Sequence, residues 1–343
     1  MLGMQSVKGR LAVEIGQVAS RVGFSHIYGS LRSHLVKTQI VIIMYHRVDW
    51  VTNYPWSTTR ISPLEFDREM RYLHQTHKVI SLDELSTSLC NPKALPPRTA
   101  AITIDDGYRD MYINAYPILK KYGLPATVFL ATGHIGTGNL FWWDKVGYAI
   151  WKTRLNTLEL GELGTHYLAS ADDRRRVADT VCTRLTKLPG QNRNELVEGL
   201  VRLSGVDIPS NLGAELILSW DEIKEMSKNG VNFGAHTISH PILTRVPLET
   251  ARHEIVGSKQ DIEKELGQEV TTFCYPNGTP SDFNNEIEEI LKSNGFKCAV
   301  TSLPPSFVSP RTPLYRLPRI PGASSFAIFE LLASGLYLDL VAK

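Results

Sequence analysis

The chain has 343 residues, 43% of them hydrophobic and 21% charged, with a formal net charge of +2. That composition excludes a disordered chain, and the near-neutral balance without a Lys/Arg run gives no track for nucleic acid. No stretch of about 18 uninterrupted apolar residues occurs, which excludes a spanning helix. Cys90, Cys182, Cys274 and Cys298 show no CxxC spacing, so free thiols in a reducing compartment are expected rather than disulfides or a Cys-ligated zinc. Residues 11–24 lack a secretory core, being interrupted by Glu14, Gln17, Ser20 and Arg21. A cytoplasmic protein, with neither signal peptide nor transmembrane helix, is the resulting expectation.

Residues 1–38 read as an amphipathic helical arm, with Leu11, Ile15, Val18 and Val22 on one face and Lys8, Arg10, Arg21, Arg32 and Lys37 among its charges. Such a basic segment suits either peripheral contact with an anionic membrane surface or packing on the main domain. Residues 39–46 form an almost continuous apolar run, the pattern of a buried parallel strand. A helix over 63–74 follows, with Ser62 as cap and Pro63 at its first position. Then come strand 79–81, helix 82–89, a loop over 92–98, strand 99–104, helix 110–122 ending at Gly123, and strand 126–130. Helices 219–229, 248–266 and 282–294 lead into strands 231–235, 271–275 and 296–301. This alternation predicts a parallel sheet with helices outside it and active groups at the strands' C-terminal ends. Residues 137–218 interrupt it as a helical insertion, with charge-rich stretches near 171–188 and 192–204. A closing helix is expected in 326–343, from Phe326, Phe329, Leu332 and Leu336.

Two segments carry chemistry. Thr103-Ile104-Asp105-Asp106-Gly107-Tyr108 places two carboxylates at a strand end, where the turn at Gly107 lets both face one pocket. One can ligate a metal while the other accepts a proton; Asp106-Gly107 also suits a plain turn. His236 and His240, four residues apart beside Gly234-Ala235, offer two imidazoles on one side of a helical turn. With one Asp they form a three-donor set for a divalent ion, leaving the other Asp free.

Together with Phe273-Cys274-Tyr275-Pro276-Asn277-Gly278, these segments resemble the first three motifs of the polysaccharide deacetylase family (NodB homology, carbohydrate esterase family 4). Tyr45-His46-Arg47-Val48, Tyr116-Pro117-Ile118-Leu119 and Ser219-Trp220 agree, and the resemblance covers roughly residues 39–136 and 219–302. It implies an α/β fold, a distorted (β/α)7 barrel over 39–325, and hydrolysis of the N-acetyl group of an N-acetylated sugar in a polysaccharide or glycolipid. It also implies one divalent metal ion, usually zinc, held by Asp106, His236 and His240. Asp105 would be the general base, and the backbone N–H of Tyr275 would hold the oxyanion, with Pro276 beside it at the substrate. Two departures stand out. The third motif lacks an opening Arg, which Arg319 or Arg109 could replace in bracing the base, Arg319 being favoured. There is no His after residue 253 to act as general acid, so His46 is the expected substitute. Tyr108, Tyr112, Trp142 and Trp143 are candidate stacking surfaces for sugar rings, whereas His74, His77, His134 and His253 show no partners. The departures leave two alternatives: a carbohydrate-binding pseudoenzyme, or a hydrolase of another amide or ester at the same metal.

Overall fold

A computed structural model describes Tyr28 and residues 39–50, 59–90, 95–304, 306–323 and 325–341. The expected arm over 1–38 therefore lies outside the described residues, apart from Tyr28, whose hydroxyl donates to Asp339 at 2.6 Å. Eight parallel strands form the main sheet: β1 (Gln39–Tyr45), β2 (Lys78–Val79), β3 (Arg98–Ile104), β4 (Ala126–Leu130), β5 (Val231–Ala235), β6 (Thr272–Cys274), β7 (Cys298–Val300) and β8 (Ile320–Pro321). Their order is β7-β6-β5-β4-β3-β1-β8, with β2 pairing the first half of β3 and β4 its end. The sheet curls so that its ends approach each other. Closure comes from the segment 317–321, where Leu317 bridges to Val300 of β7 and Ile320 pairs with Ile43 of β1. The seam is thin, a single bridge on the β7 side and two paired residues on the β1 side.

Strand residues alternate between two apolar clusters, as the two-residue repeat requires. Ile40, Ile42, Ala101, Phe129, Cys274, Cys298 and Val300 form the inner cluster. Val41, Ile43, Ile102, Ile104, Val128, Leu130, Phe273 and Ala299 face the outer helices. Those helices include α1 (Pro63–Thr76), α2 (Leu82–Leu89) and α3 (Tyr116–Tyr122). Ser62 and Ser81 cap α1 and α2 by accepting from Glu65 N and Glu84 N.

The expected helix over 110–122 is divided: Met111–Ala115 is a π-helical turn and only then does α3 begin. Pro117 explains the break, since it has no N–H for the preceding ladder and its ring crowds the turn before it. The tail is likewise two helices, Phe326–Ala333 and Leu336–Val341, parted at Gly335, whose φ of 82° no regular helix adopts.

Residues 137–218 contain α4 (Trp142–Lys152), α5 (Ala171–Leu185), α6 (Gly190–Ser204) and the short α7 (Leu212–Leu216). An antiparallel hairpin, Thr157–Glu159 with Thr165–Tyr167, carries no strand signal strong enough to be read beforehand. The segment encloses its own core of Val146, Ile150, Val181, Leu185, Val197 and Leu200. It rejoins the barrel beside the Asp-Asp turn, where Leu218 N donates to Gly107 O and Arg109 N to Leu216 O. The barrel then continues through α8 (Trp220–Lys228), α9 (Leu248–Leu266) and α10 (Asn285–Ser293). All four cysteines are free, and no described helix is long and apolar enough to cross a membrane.

Candidate metal centre

Strand parity delivers the site. His46 follows the inward residues Ile40 and Ile42 by even steps, Asp105 follows Ala101, and His236 follows Gly234. Gly234 is required there, because a Cβ would stand 2.5 Å from the Phe129 ring. Asp106 has the opposite parity and would point away. Its left-handed backbone (φ 75°), continued by Gly107 (φ 84°), turns the carboxylate back into the pocket.

Among the described residues, the four non-glycine positions with left-handed backbone are Asp106, Thr237, His240 and Asn277, all at this end of the barrel. Such conformations persist only where the surroundings over-determine them. Here Thr237 Oγ1 accepts from His240 N at 3.0 Å and donates to His236 O at 2.5 Å. Glu254, reaching up from α9, accepts from Ile238 N and Ser239 N, both at 2.8 Å, and from Ser239 Oγ at 2.6 Å. Sequence reading missed Glu254, whose partners lie in the next element and follow no periodic pattern.

One donor atom each from Asp106, His236 and His240 falls within a 4.8 Å cluster, all three residues buried. The Nε2 of each histidine lies 3.5 Å from Asp106 Oδ1. Two ligands on a tetrahedral zinc, each about 2.1 Å away, stand roughly 3.4 Å apart. His236 Nδ1 bonds Cys274 O at 2.7 Å, which leaves Nε2 as the ligand nitrogen. Burial, then the neighbouring His236, push His240 down to about 3, so its imidazole is neutral. Burial also lowers His236, but Cys274 and the Asp106 carboxylate outweigh it and leave His236 raised. Burial raises Asp106 less than its hydrogen bond to His236 and the surrounding imidazoles lower it, so the carboxylate stays ionised. These residues fit a divalent ion.

A second trio, Asp105, His236 and Cys274, is equally compact but does not fit one. Arg319 occupies both Asp105 oxygens, Nη1 to Oδ1 at 2.7 Å and Nη2 to Oδ2 at 2.8 Å. Burial keeps the Cys274 thiol raised and protonated. Arg319 lies in the seam between β7 and β1 and is itself fixed by Thr301 O and Thr103 Oγ1, both at 3.1 Å. Burial pushes the Asp105 carboxyl up, and the charges of Arg319, then His46 and His236, more than offset it. Asp105 is thus held as an ionised carboxylate beside the cluster and gives no atom to it.

The sequence profile of the polysaccharide deacetylases matches residues 93–299, more than half of the chain. The chain belongs to the polysaccharide deacetylase family. Its members are metal-dependent hydrolases of carbon–nitrogen bonds other than peptide bonds. YxkH of Bacillus subtilis (strain 168), named for the same family, is 23% identical over 293 residues, 84% of this chain and 74% of its own. The poly-beta-1,6-N-acetyl-D-glucosamine N-deacetylase of Staphylococcus aureus is 36% identical over 108 residues. That match spans only 31% of this chain and 36% of the relative. The Streptococcus pyogenes deacetylase PplD, solved with acetate, shares the fold at a TM-score of 0.59 and 22% identity, covering 87% of this chain and 98% of its own.

In this deacetylase fold the donor cluster opens into a cavity of about 220 Å³. Sites that engulf whole drug-sized ligands measure roughly 300–1,000 Å³, so this cavity is smaller than those. His46 is on its wall, with Nε2 3.8 Å from Asp105 Oδ2 and a side chain 27% exposed. Trp143 also lines it, standing edge-on to His240 at 4.8 Å, but Phe141 stacks on one of its faces at 4.4 Å.

Several expectations need correction. Tyr108 touches the cavity but offers no free stacking face: it is 2% exposed, and the Arg47 guanidinium lies 4.4 Å from its ring centroid. Its hydroxyl donates to the buried Asp144 at 2.7 Å and accepts from Trp143 Nε1 at 2.7 Å. Pro276 is buried behind the wall, and Asn277 takes its place there. Tyr275 lines the cavity, yet its N–H already bonds Val300 O at 3.3 Å, its ring stacks on Phe283, and its hydroxyl donates to Tyr315 O. Arg109 pairs with Glu222 at 2.7 Å, far from the role of a brace. Tyr112 stacks on Tyr116 and donates to Glu225. His134, expected without a partner, stacks on Phe141 at 4.0 Å; His77 bonds Thr76 Oγ1 and His74 lies against the Tyr122 ring.

Proposed function

We propose that the chain hydrolyses the N-acetyl group of an N-acetylated amino sugar in a glycan, using a zinc ion held by Asp106, His236 and His240. One observation carries this reading: beside a complete three-donor cluster stands a second carboxylate, Asp105, which a buried arginine holds apart from it. Binding alone needs no such spare carboxylate; hydrolysis needs a base there. An N₂O donor set suits zinc. Bound, the ion supplies Lewis-acid polarisation of the acetyl carbonyl and acidifies water.

The chain's own groups supply the rest. Asp105 accepts the proton of the attacking water, while Arg319 keeps the carboxylate ionised and fixes its plane. The water oxygen bonds to the acetyl carbon, the carbon–nitrogen bond breaks, and the leaving nitrogen must gain a proton. His46, at the cavity wall and 3.8 Å from Asp105, is placed to deliver it. Acetate and a free amine result. Support for N-acetylglucosamine as the sugar comes from the staphylococcal relative, which is named for a polymer of it.

The test is acetate release by the zinc-loaded chain over N-acetylglucosamine oligomers, N-acetylated glycolipids and simple acetyl esters. The sugar amides are expected to be the better substrates. Faster turnover of the esters, or release from none of the panel, would remove the reading.

A further inference from the structure

Away from the metal ligands, Arg193 and Arg245 flank the turn between α5 and α6, one on the Trp142 ring and the other on Thr186 O. α6 begins at Gly190 behind Pro189, which has no side-chain oxygen, so the amides of its first turn are uncapped. Arg193 folds back over that end: its Nη2 would lie 3.8 Å from a Cβ on Gly190. The residue is only 7% exposed, and its Nε is buried with no hydrogen-bond partner. Among the described residues no carboxylate forms an ion pair with it; its guanidinium rests on the Trp142 ring, 5.0 Å from the centroid. Burial, then the charge of Arg245, lowers the pKa of Arg193. Arg245 is exposed and donates to Thr186 O, at the end of α5.

Leaving a cation desolvated beside a like charge is costly. A protein keeps such an arrangement stable when an anion completes it, and an uncapped helix start with two guanidinium forks matches a tetrahedral oxyanion. The location is informative too. Trp142 and Thr186, which Arg193 and Arg245 touch, both line the metal cavity. Arg245 also belongs to the loop that follows His240.

We infer that Arg193, Arg245 and the first-turn amides of α6 form a subsite for a phosphate-class oxyanion at the edge of the metal cavity, carried by the glycan substrate. The subsite stands on its own geometry; its assignment to the glycan rests on the deacetylase reading above.

The first arm of the test is thermal unfolding of the zinc-loaded full chain with inorganic phosphate, for wild type, Arg193→Met and Arg245→Gln. Phosphate at ten times its Kd is expected to raise the wild-type midpoint by about 2–3 °C. Arg193→Met is expected to unfold at a higher temperature than wild type without phosphate, because an uncompensated charge is gone, and to lose the phosphate increment. A merely structural arginine on Trp142 would give the opposite sign. Arg245→Gln, at an exposed position, keeps the fold whatever Arg193→Met does, and is expected to weaken phosphate at least about tenfold. A phosphate increment that survives in both variants, as binding at the zinc would produce, or none in wild type, overturns the subsite.

The second arm compares KM for acetate release from an N-acetylated oligosaccharide with and without a phosphate substituent. A lower KM for the phosphorylated form, lost in Arg245→Gln, supports the glycan as carrier. Equal KM values overturn that assignment and leave free phosphate as the ligand. Release from neither substrate would count against the deacetylase reading, with the first arm still deciding the subsite.

Discussion

Asp105→Asn leaves the zinc content of the chain unchanged and lowers kcat by about 10²–10⁴, the usual contribution of a positioned general base. The two halves of that result belong together. Asp105 contributes no atom to the cluster of Asp106, His236 and His240, so its amide cannot release the ion. Both Asp105 oxygens lie on Arg319, and Asn can keep only one of those bonds while losing the charge that takes up a proton. Metal analysis beside steady-state kinetics checks both halves at once. A variant that kept its rate would mean that another group serves as base.

Arg319→Met has its largest effect on stability. It strands the Asp105 carboxylate in a pocket where each partner is 2% exposed. Removing one member of a buried pair costs about 3–5 kcal/mol, which for a chain of this size is a fall in unfolding midpoint of roughly 4–7 °C. The sign of the accompanying pH effect follows from the pair. Arg319 offsets the upward push of burial on Asp105; without it the carboxyl titrates at higher pH. The acid limb of the activity profile therefore moves upward, and activity lost near neutrality returns in part as pH rises. Arg319→Lys restores a charge but not the two-pronged contact with both oxygens, and falls between wild type and Arg319→Met. Differential scanning calorimetry and a pH–rate profile supply the two readouts.

Much of this was legible in the residues because parity and spacing are local properties. An apolar strand ending in Asp105-Asp106-Gly107 and a histidine pair after Gly234 announce themselves within a few positions. The turn that brings Asp106 inward was legible as well, since Gly107 follows it. The brace was harder. Arg319 sits far along the chain from Asp105, and only the barrel seam between Leu317 and Ile320 brings them together. Tyr108 was misread because an aromatic beside a motif looks the same whether its face is open or covered by Arg47, a residue of another strand. Tyr275 was misread for a related reason: whether a backbone N–H is spare depends on its sheet neighbour, here Val300. Pro117 and Gly335 could have been weighed more heavily, as each breaks a helix by its own chemistry. Arg193 gave no signal at all, because the absence of a carboxylate partner among the described residues is visible only once its neighbours are placed.

The most direct test of the account is acetate release from an N-acetylglucosamine oligomer as zinc is titrated into chelator-stripped protein, beside His236→Ala and Asp106→Ala. The account predicts no release from stripped wild type, full rate at one ion per chain, and neither binding nor rate in the two variants. Full activity in the stripped protein, or stoichiometric activating zinc in either variant, would contradict it.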